Sequence, residues 1–121
     1  ILSYLRAGYD SVTNKRPDIS ISGPAPDTFD FVLLAAPVWA AHASTPMRAY
    51  LEQHKGKFKR AAFVLTCGGQ APQTAFDEMS ADAGVKPDKT FELRQRDVKS
   101  AAGLPDNLAA FLASVRLKLA A

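Results

Sequence analysis

Two stretches of the sequence place residues that can hold a flat aromatic ligand directly after apolar runs. Trp39 follows the run "DFVLLAAPV", and the pair Gly68-Gly69 follows the run "RAAFVLTC". An indole ring that stacks on a planar ligand stabilises the contact by about 1 kcal/mol beyond the area it buries. Glycines carry no Cβ, so a ring can approach their backbone amides closely. The pattern indicates a binding site between two loops, one with a stacking face and one with accessible amides.

Each of these residues also has a purely structural interpretation. From spacing alone, Trp39 is better explained as a core or loop-packing side chain. The two glycines are explained equally well by a strand-to-helix turn and by ring contact. Cys67 is a lone cysteine at a strand end, where a small buried hydrophobe is commoner than a reactive thiol.

The remaining ionisable residues form no recognisable catalytic pattern. We expect His42 to be a solvated loop histidine and His54 to interact with the terminal carbonyls of a helix. Asp77 and Glu78 are neighbours in a predicted helix and therefore point in different directions. The sequence has no Ser-His-Asp arrangement with supporting context and no metal-ligand cluster. We therefore expect no catalytic side chain and no metal site.

The two apolar runs predict the central strands of the fold. Residues 30–38 and 60–68 lack polar alternation, which is typical of strands buried on both faces in a parallel sheet covered by helices. Residues 89–98 alternate apolar and charged side chains and predict a half-exposed edge strand. Three basic residues near the end of this strand are better explained as charged side chains of an exposed edge strand than as binding groups for an acidic ligand: Arg94, Arg96 and Lys99.

Four amphipathic segments predict helices, and a Pro-rich stretch, 16–29, predicts an extended connection. The first helix is short and is stopped by "NKRPD". The second has Thr45 as its cap and Pro46 in its first turn, and the third ends at Gly84. The expected apolar faces are Leu2, Leu5, Tyr9 and Val12; Met47, Tyr50 and Leu51; Ala75, Phe76, Met79 and Ala83; and Leu108, Phe111, Leu112, Val115 and Leu119. Strand and helix thus alternate three times, which predicts an α/β fold.

Composition limits the class of protein further. The chain has 121 residues, enough for one domain over 1–121, and 47% of them are hydrophobic, as in globular proteins. No apolar run is long enough to suggest a membrane span, and the single cysteine fits a reducing compartment, so we expect a cytoplasmic protein. The net charge of +3 is modest, and its densest patch, 54–60, lacks a nucleic-acid-binding motif.

Three segments together resemble the flavodoxin family of FMN-binding proteins: "FDFVLLAAPVWAAHASTPMRAYL", "GKFKRAAFVLTCGGQ" and "RAGYDSVTNKRP". The resemblance covers nearly the whole chain. It implies an open parallel sheet with helices on both faces and an FMN cofactor. It also implies electron transfer or quinone-type reduction with a redox partner protein or a small-molecule acceptor. By the same resemblance, the residues that flank the isoalloxazine ring are Pro37, Val38, Trp39 and Ala40 on one side and Thr66, Cys67, Gly68 and Gly69 on the other.

The sequence departs from the family pattern at its start. It begins at Ile1 without the strand and the Ser/Thr-rich, Gly-containing loop that in the family cradles the FMN phosphate. The resemblance therefore implies a partial domain with the ring-binding walls but without the N-terminal strands, the first helix and the phosphate loop. With the family strand order 2-1-3-4-5, the strand at 30–38 would keep an open edge, through which a homodimer can form. The alternatives are a cofactor-free α/β fragment and a binding module that uses the same cleft.

Overall fold

The computed structural model describes residues 2–13 and 15–120 and has an α/β architecture. Its four-stranded sheet has the order β2-β1-β3-β4. Three strands run parallel, and the two-residue strand β2 pairs antiparallel with the end of β1. The strands are β1 (Val32–Trp39), β2 (His42–Ala43), β3 (Ala61–Cys67) and β4 (Lys89–Arg94). The α/β class predicted from the sequence is confirmed.

Five α-helices flank the sheet in this part of the chain: α1 (Leu2–Val12), α2 (Thr45–Gln53), α3 (Gln73–Ala83), α4 (Gln95–Lys99) and α5 (Asp106–Ala120). The predicted extended connection before β1 is confirmed and contains one 3₁₀ turn, Pro26–Thr28. Asn14, the first residue of the "NKRPD" stop, lies outside the described residues. None of the described helices combines the length and apolar character that a membrane span requires.

The main core lies between the sheet and the helices α2 and α3. Phe63 and Leu65 of β3 are fully buried there, together with Leu51 of α2 and Met79 of α3. The predicted apolar face of α3 is confirmed because its four residues are all buried: Ala75, Phe76, Met79 and Ala83. This packing fixes the loops that leave the carboxyl ends of the strands.

A smaller core lies on the opposite face of the sheet, under α5. Phe111 and Val115 are buried against Ala62 and Val64 of β3, and the Phe111 ring stacks on Phe91 with centroids 4.9 Å apart. Strand β3 is thus buried on both faces, as the sequence predicted. Leu119, the last residue of the predicted apolar face of α5, is exposed near the end of the helix.

Strand β1 differs from its prediction because only one of its faces is buried. Leu34 and Ala36 lie in the main core, but Leu33 is 44% exposed, and Ala35 and Pro37 are exposed as well. The second-face cluster under α5 is formed by residues of β3, β4 and α5 with Phe31, and the exposed side chains of β1 lie outside it. An apolar run therefore does not by itself imply cover on both sides.

Helix α1 shows a related discrepancy. The helix forms as predicted, but its expected apolar face is exposed: Leu2, Leu5, Tyr9 and Val12. The periodicity reports the helix correctly, since it depends on local spacing, whereas burial depends on a partner surface.

Two element boundaries also differ from the predictions. The predicted strand at 89–98 ends at Arg94, whose backbone N–H donates to Asp97 Oδ2 at 3.1 Å and begins α4. Helix α2 has Ser44 as its N-cap, and Thr45 is its first helical residue. The short-range polar contact of Asp97 redirects the backbone at the point where the predicted strand would continue.

A buried ion pair joins α2 to α3. Arg48 Nε donates to Asp82 Oδ2 at 2.6 Å, and the two side chains are only 9% and 10% exposed. Arg16 lies 3.7 Å from the same carboxylate, and Arg48 lies 3.6 Å from Glu78. Buried charges need such partners because desolvation penalises each of them separately.

Replacement of Gly84 by alanine is expected to lower the free energy of unfolding by about 1–2 kcal/mol. Gly84 ends α3 at φ +67°, and a Cβ there would lie 3.1 Å from Lys55 Cγ and 3.2 Å from the Gly56 nitrogen. Urea denaturation measures the loss. The matched control is Gly103→Ala, where a Cβ meets nothing within 4 Å and φ is not left-handed. Equal effects of the two substitutions would contradict the explanation.

Candidate functional site

A cleft of about 380 Å³ lies at the carboxyl ends of the three parallel strands. In open parallel sheets this end is where ligands bind, and the volume lies within the range of about 300–1,000 Å³ that is typical of small-molecule sites. The lining residues come from three places in the chain: Pro37, Val38 and Trp39; Thr66, Cys67 and Gly68; and Leu93, Arg94, Gln95 and Val98.

The first wall of the cleft is the end of β1, which turns sharply into β2. Trp39 pairs with His42 across this turn and is half-buried. The two turn residues, Ala40 and Ala41, have φ values of +48° and +69°. Positive φ at both central positions suits a tight hairpin but costs non-glycine residues about 1–2 kcal/mol each. Surrounding contacts must therefore hold the turn that places the tryptophan.

His42 supplies one of those contacts. Its Nδ1 lies 2.7 Å from Glu78 Oε1, and its side chain is half-buried, so the prediction of a solvated loop histidine is wrong. Glu78 projects from α3, and its second oxygen lies 3.6 Å from Arg48. The hairpin that carries Trp39 is thereby tied to the charged cluster between α2 and α3. By contrast, the prediction for His54 is confirmed, since its Nδ1 lies 3.0 Å from the Tyr50 carbonyl oxygen.

The second wall is the end of β3 and the loop that follows it. Thr66 and Gly68 are exposed, and Cys67 is half-buried. Burial is the main cause that raises the pKa of the Cys67 thiol, with a smaller contribution from the nearby Glu92 carboxylate. The thiol is therefore held protonated near neutral pH, which fits the interpretation of Cys67 as a packing residue better than that of a nucleophile.

The third side of the cleft comes from β4 and α4 and was not predicted. Arg94 ends the outer strand β4 as predicted, but its half-buried side chain also lines the cleft and pairs with the Glu92 carboxylate. The other two basic residues assigned to that strand, Arg96 and Lys99, lie in α4 instead. The hydrogen bond to Glu92 is the main cause that raises the pKa of Arg94. A second hydrogen bond, from the Arg94 backbone N–H to the Asp97 carboxylate, is the main cause that lowers the pKa of Asp97. This side of the cleft could have been predicted from the topology, because a third parallel strand must end at the same end of the sheet as the other two.

The structure brings together most of the residues that the sequence placed at the ring. The six that line the cleft are Pro37, Val38, Trp39, Thr66, Cys67 and Gly68. Ala40 and Gly69 belong to the same loops but do not line it. Within 2–13 and 15–120, no group of three His, Cys, Asp or Glu side chains is placed to hold a metal ion.

One solved structure with a similar fold is a flavoprotein from Lactobacillus acidophilus NCFM, determined in complex with FMN. The TM-score is 0.61 and the sequence identity 19%, over 79% of this chain and 66% of that chain. The chain thus spans slightly less than two thirds of the length of the flavoprotein it matches. No protein-family model matches the sequence, and no curated protein matches it either. At this identity the similarity shows a shared α/β fold.

Proposed function

We propose that the cleft is the ring-binding part of a flavin site and that the protein takes part in electron transfer or flavin-dependent reduction. The observation that carries the proposal is the cleft itself, which joins the only tryptophan of the chain to the small residues at the end of β3. The FMN-bound flavoprotein of similar fold supports the assignment of FMN. A bound flavin would supply one- and two-electron redox chemistry.

The conformation of the glycine pair supports the proposal. Neither Gly68 nor Gly69 has a left-handed φ, and an added Cβ at either residue would meet nothing within 4 Å. Neither the turn nor the packing therefore requires glycine here. The turn interpretation of this pair is weakened, and close approach of a ligand to the backbone is the explanation that fits the open space.

The residues of the cleft fit a planar heterocycle. Trp39 contributes an aromatic side chain to the lining, and Val38 and Leu93 add apolar surface. Backbone amides near Gly68 would donate to the polar edge of the ring. The chain positions and shields the ring, and no side chain in the cleft is assigned the role of acid or base.

A binding titration tests the proposal. Purified protein is mixed with FMN, riboflavin or lumiflavin, and flavin fluorescence is followed to saturation. Because the cleft residues are assigned to the ring, we expect saturable quenching by all three ligands, with dissociation constants that agree within about tenfold. Absence of saturable quenching with every flavin would overturn the proposed function.

Self-association through β1 is the second candidate function, and one feature of the sheet favours it. Among the described residues, no strand pairs with 32–36 along the edge opposite β3, whereas the Pro37 carbonyl already accepts the Ser44 N–H. This edge has no charged side chain, whereas the outer strand β4 carries Lys89, Glu92 and Arg94. Open edges without charges are the ones that pair with another chain.

A charge at Leu33 tests that candidate. We expect the wild-type chain to sediment as a dimer and Leu33→Lys as a monomer, since a charged side chain on an edge strand opposes pairing with another chain. The matched control, Thr90→Lys, adds the same charge to an exposed position of β4 and should leave the dimer intact. A monomeric wild type, or a dimer that survives Leu33→Lys, would exclude β1 pairing.

A further inference from the structure

The loop that forms the second wall of the cleft is fixed at both ends. It leaves β3 at Cys67, and it reaches α3 through Ala71, which is buried. The three residues between them are exposed, and two of these are glycines. Glycine-rich segments lose more conformational entropy on ordering than others do. The contact that holds the Ala71 end therefore decides how well the loop is ordered.

That contact is made by a carboxylate from the neighbouring strand. The Ala71 N–H donates to Glu92 Oε2 at 2.6 Å. Glu92 is half-buried and lies opposite Leu65 in the β3–β4 register. It is not among the residues that line the cleft. A hydrogen bond to a charged acceptor is about twice as strong as one between neutral groups.

The second oxygen of Glu92 is also occupied. Arg94 Nε donates to Glu92 Oε1, and the Arg94 side chain lines the cleft. The carboxylate is therefore held between a residue of the cleft on one side and the end of the loop on the other. This two-sided contact orients it toward the Ala71 amide and leaves it little freedom to turn away.

We propose that Glu92 is a positioning residue that holds the loop 67–71 in its ligand-ready conformation by accepting the Ala71 N–H. That the ligand is a planar ring placed against Gly68 rests on the function proposed above. That Glu92 anchors the loop does not depend on the identity of the ligand. A loop that is ordered before binding spares the ligand the entropic cost of ordering it.

The experiment compares Glu92→Ala, Glu92→Gln and the control Thr90→Ala, an exposed position on the same strand. Two quantities are measured on each: the exchange rate of the Ala71 amide proton in the ligand-free chain, and the FMN dissociation constant. We expect Glu92→Ala to speed Ala71 exchange and raise the dissociation constant, each by about tenfold. Glu92→Gln keeps one acceptor oxygen for two donors, so both quantities should fall between those of the wild type and Glu92→Ala, and the control should match the wild type.

The two measurements separate this inference from the proposed function. If neither the wild type nor any variant binds FMN, the proposed flavin-binding function is excluded. The exchange rate of the Ala71 amide still decides whether Glu92 anchors the loop. Unchanged Ala71 exchange in Glu92→Ala would overturn the inference. Exchange that rises equally across β3 would also overturn it, because that result reports general destabilisation.

Discussion

Replacement of Trp39 by alanine is expected to weaken FMN binding by about ten- to a hundredfold. The substitution removes a stacking contact that contributes about 1 kcal/mol beyond area, together with the apolar surface the indole buries against a ring. Trp39 lines the cleft on a hairpin that the His42–Glu78 contact holds in place. We therefore expect no neighbouring side chain to move into the space that the indole leaves. The measurement is the FMN dissociation constant from fluorescence titration.

Two controls distinguish stacking from loss of structure. Trp39→Phe keeps an aromatic face and should lose much less affinity than the alanine variant. Tyr9→Ala removes an exposed aromatic residue of α1, which does not line the cleft, and should change nothing. Thermal unfolding checks that the variants stay folded. Unchanged affinity in Trp39→Ala would remove the indole from the site.

The largest effect on stability is expected at Asp82. Its replacement by alanine should lower the free energy of unfolding by about 3–5 kcal/mol, since it deprives the buried Arg48 of its main carboxylate. Urea denaturation measures the change. In the double variant Arg48→Met, Asp82→Leu neither charge of the pair is left buried alone, and part of the lost stability should return. Full recovery is not expected, because Glu78 and Arg16 also lose a charged partner.

An exposed ion pair provides the matched comparison. Lys59 and Asp30 lie 3.3 Å apart with side chains 54% and 97% exposed. Lys59→Ala should cost less than about 1 kcal/mol, because solvent already screens the pair. If Asp82→Ala were no more harmful than Lys59→Ala, the buried pair would not stabilise the packing of α2 on α3 as described.

The fold was largely predictable because it depends on local patterns. Continuous apolar runs located β1 and β3, and helical spacing with a terminal Gly84 located α3 and its core face. Burial was less predictable. The exposed side of β1 at Leu33 and the exposed face of α1 have the same apolar character as buried surfaces, and only the arrangement of the other elements decides which of them are covered.

The candidate site was predictable where it depends on strand ends and not where it depends on distant partners. Trp39 and Gly68 were identified because they directly follow apolar runs. The contacts that hold them were not, since His42 and Glu78 are 36 residues apart and Ala71 and Glu92 are 21 apart. No local spacing rule links such pairs. They follow from the way parallel strands bring distant segments together at one edge.

The most direct test of the flavin site is a ¹H–¹⁵N correlation spectrum recorded during titration with FMN. If FMN binds in the cleft, saturable shifts are expected there, namely at the Trp39 indole N–H and at the amides of Val38, Thr66, Cys67 and Gly68. Amides at the opposite end of the sheet, such as that of Lys57, should not move. Saturable shifts at residues other than Trp39 and Gly68, or no shifts at any FMN concentration, would show that the cleft is not a flavin site.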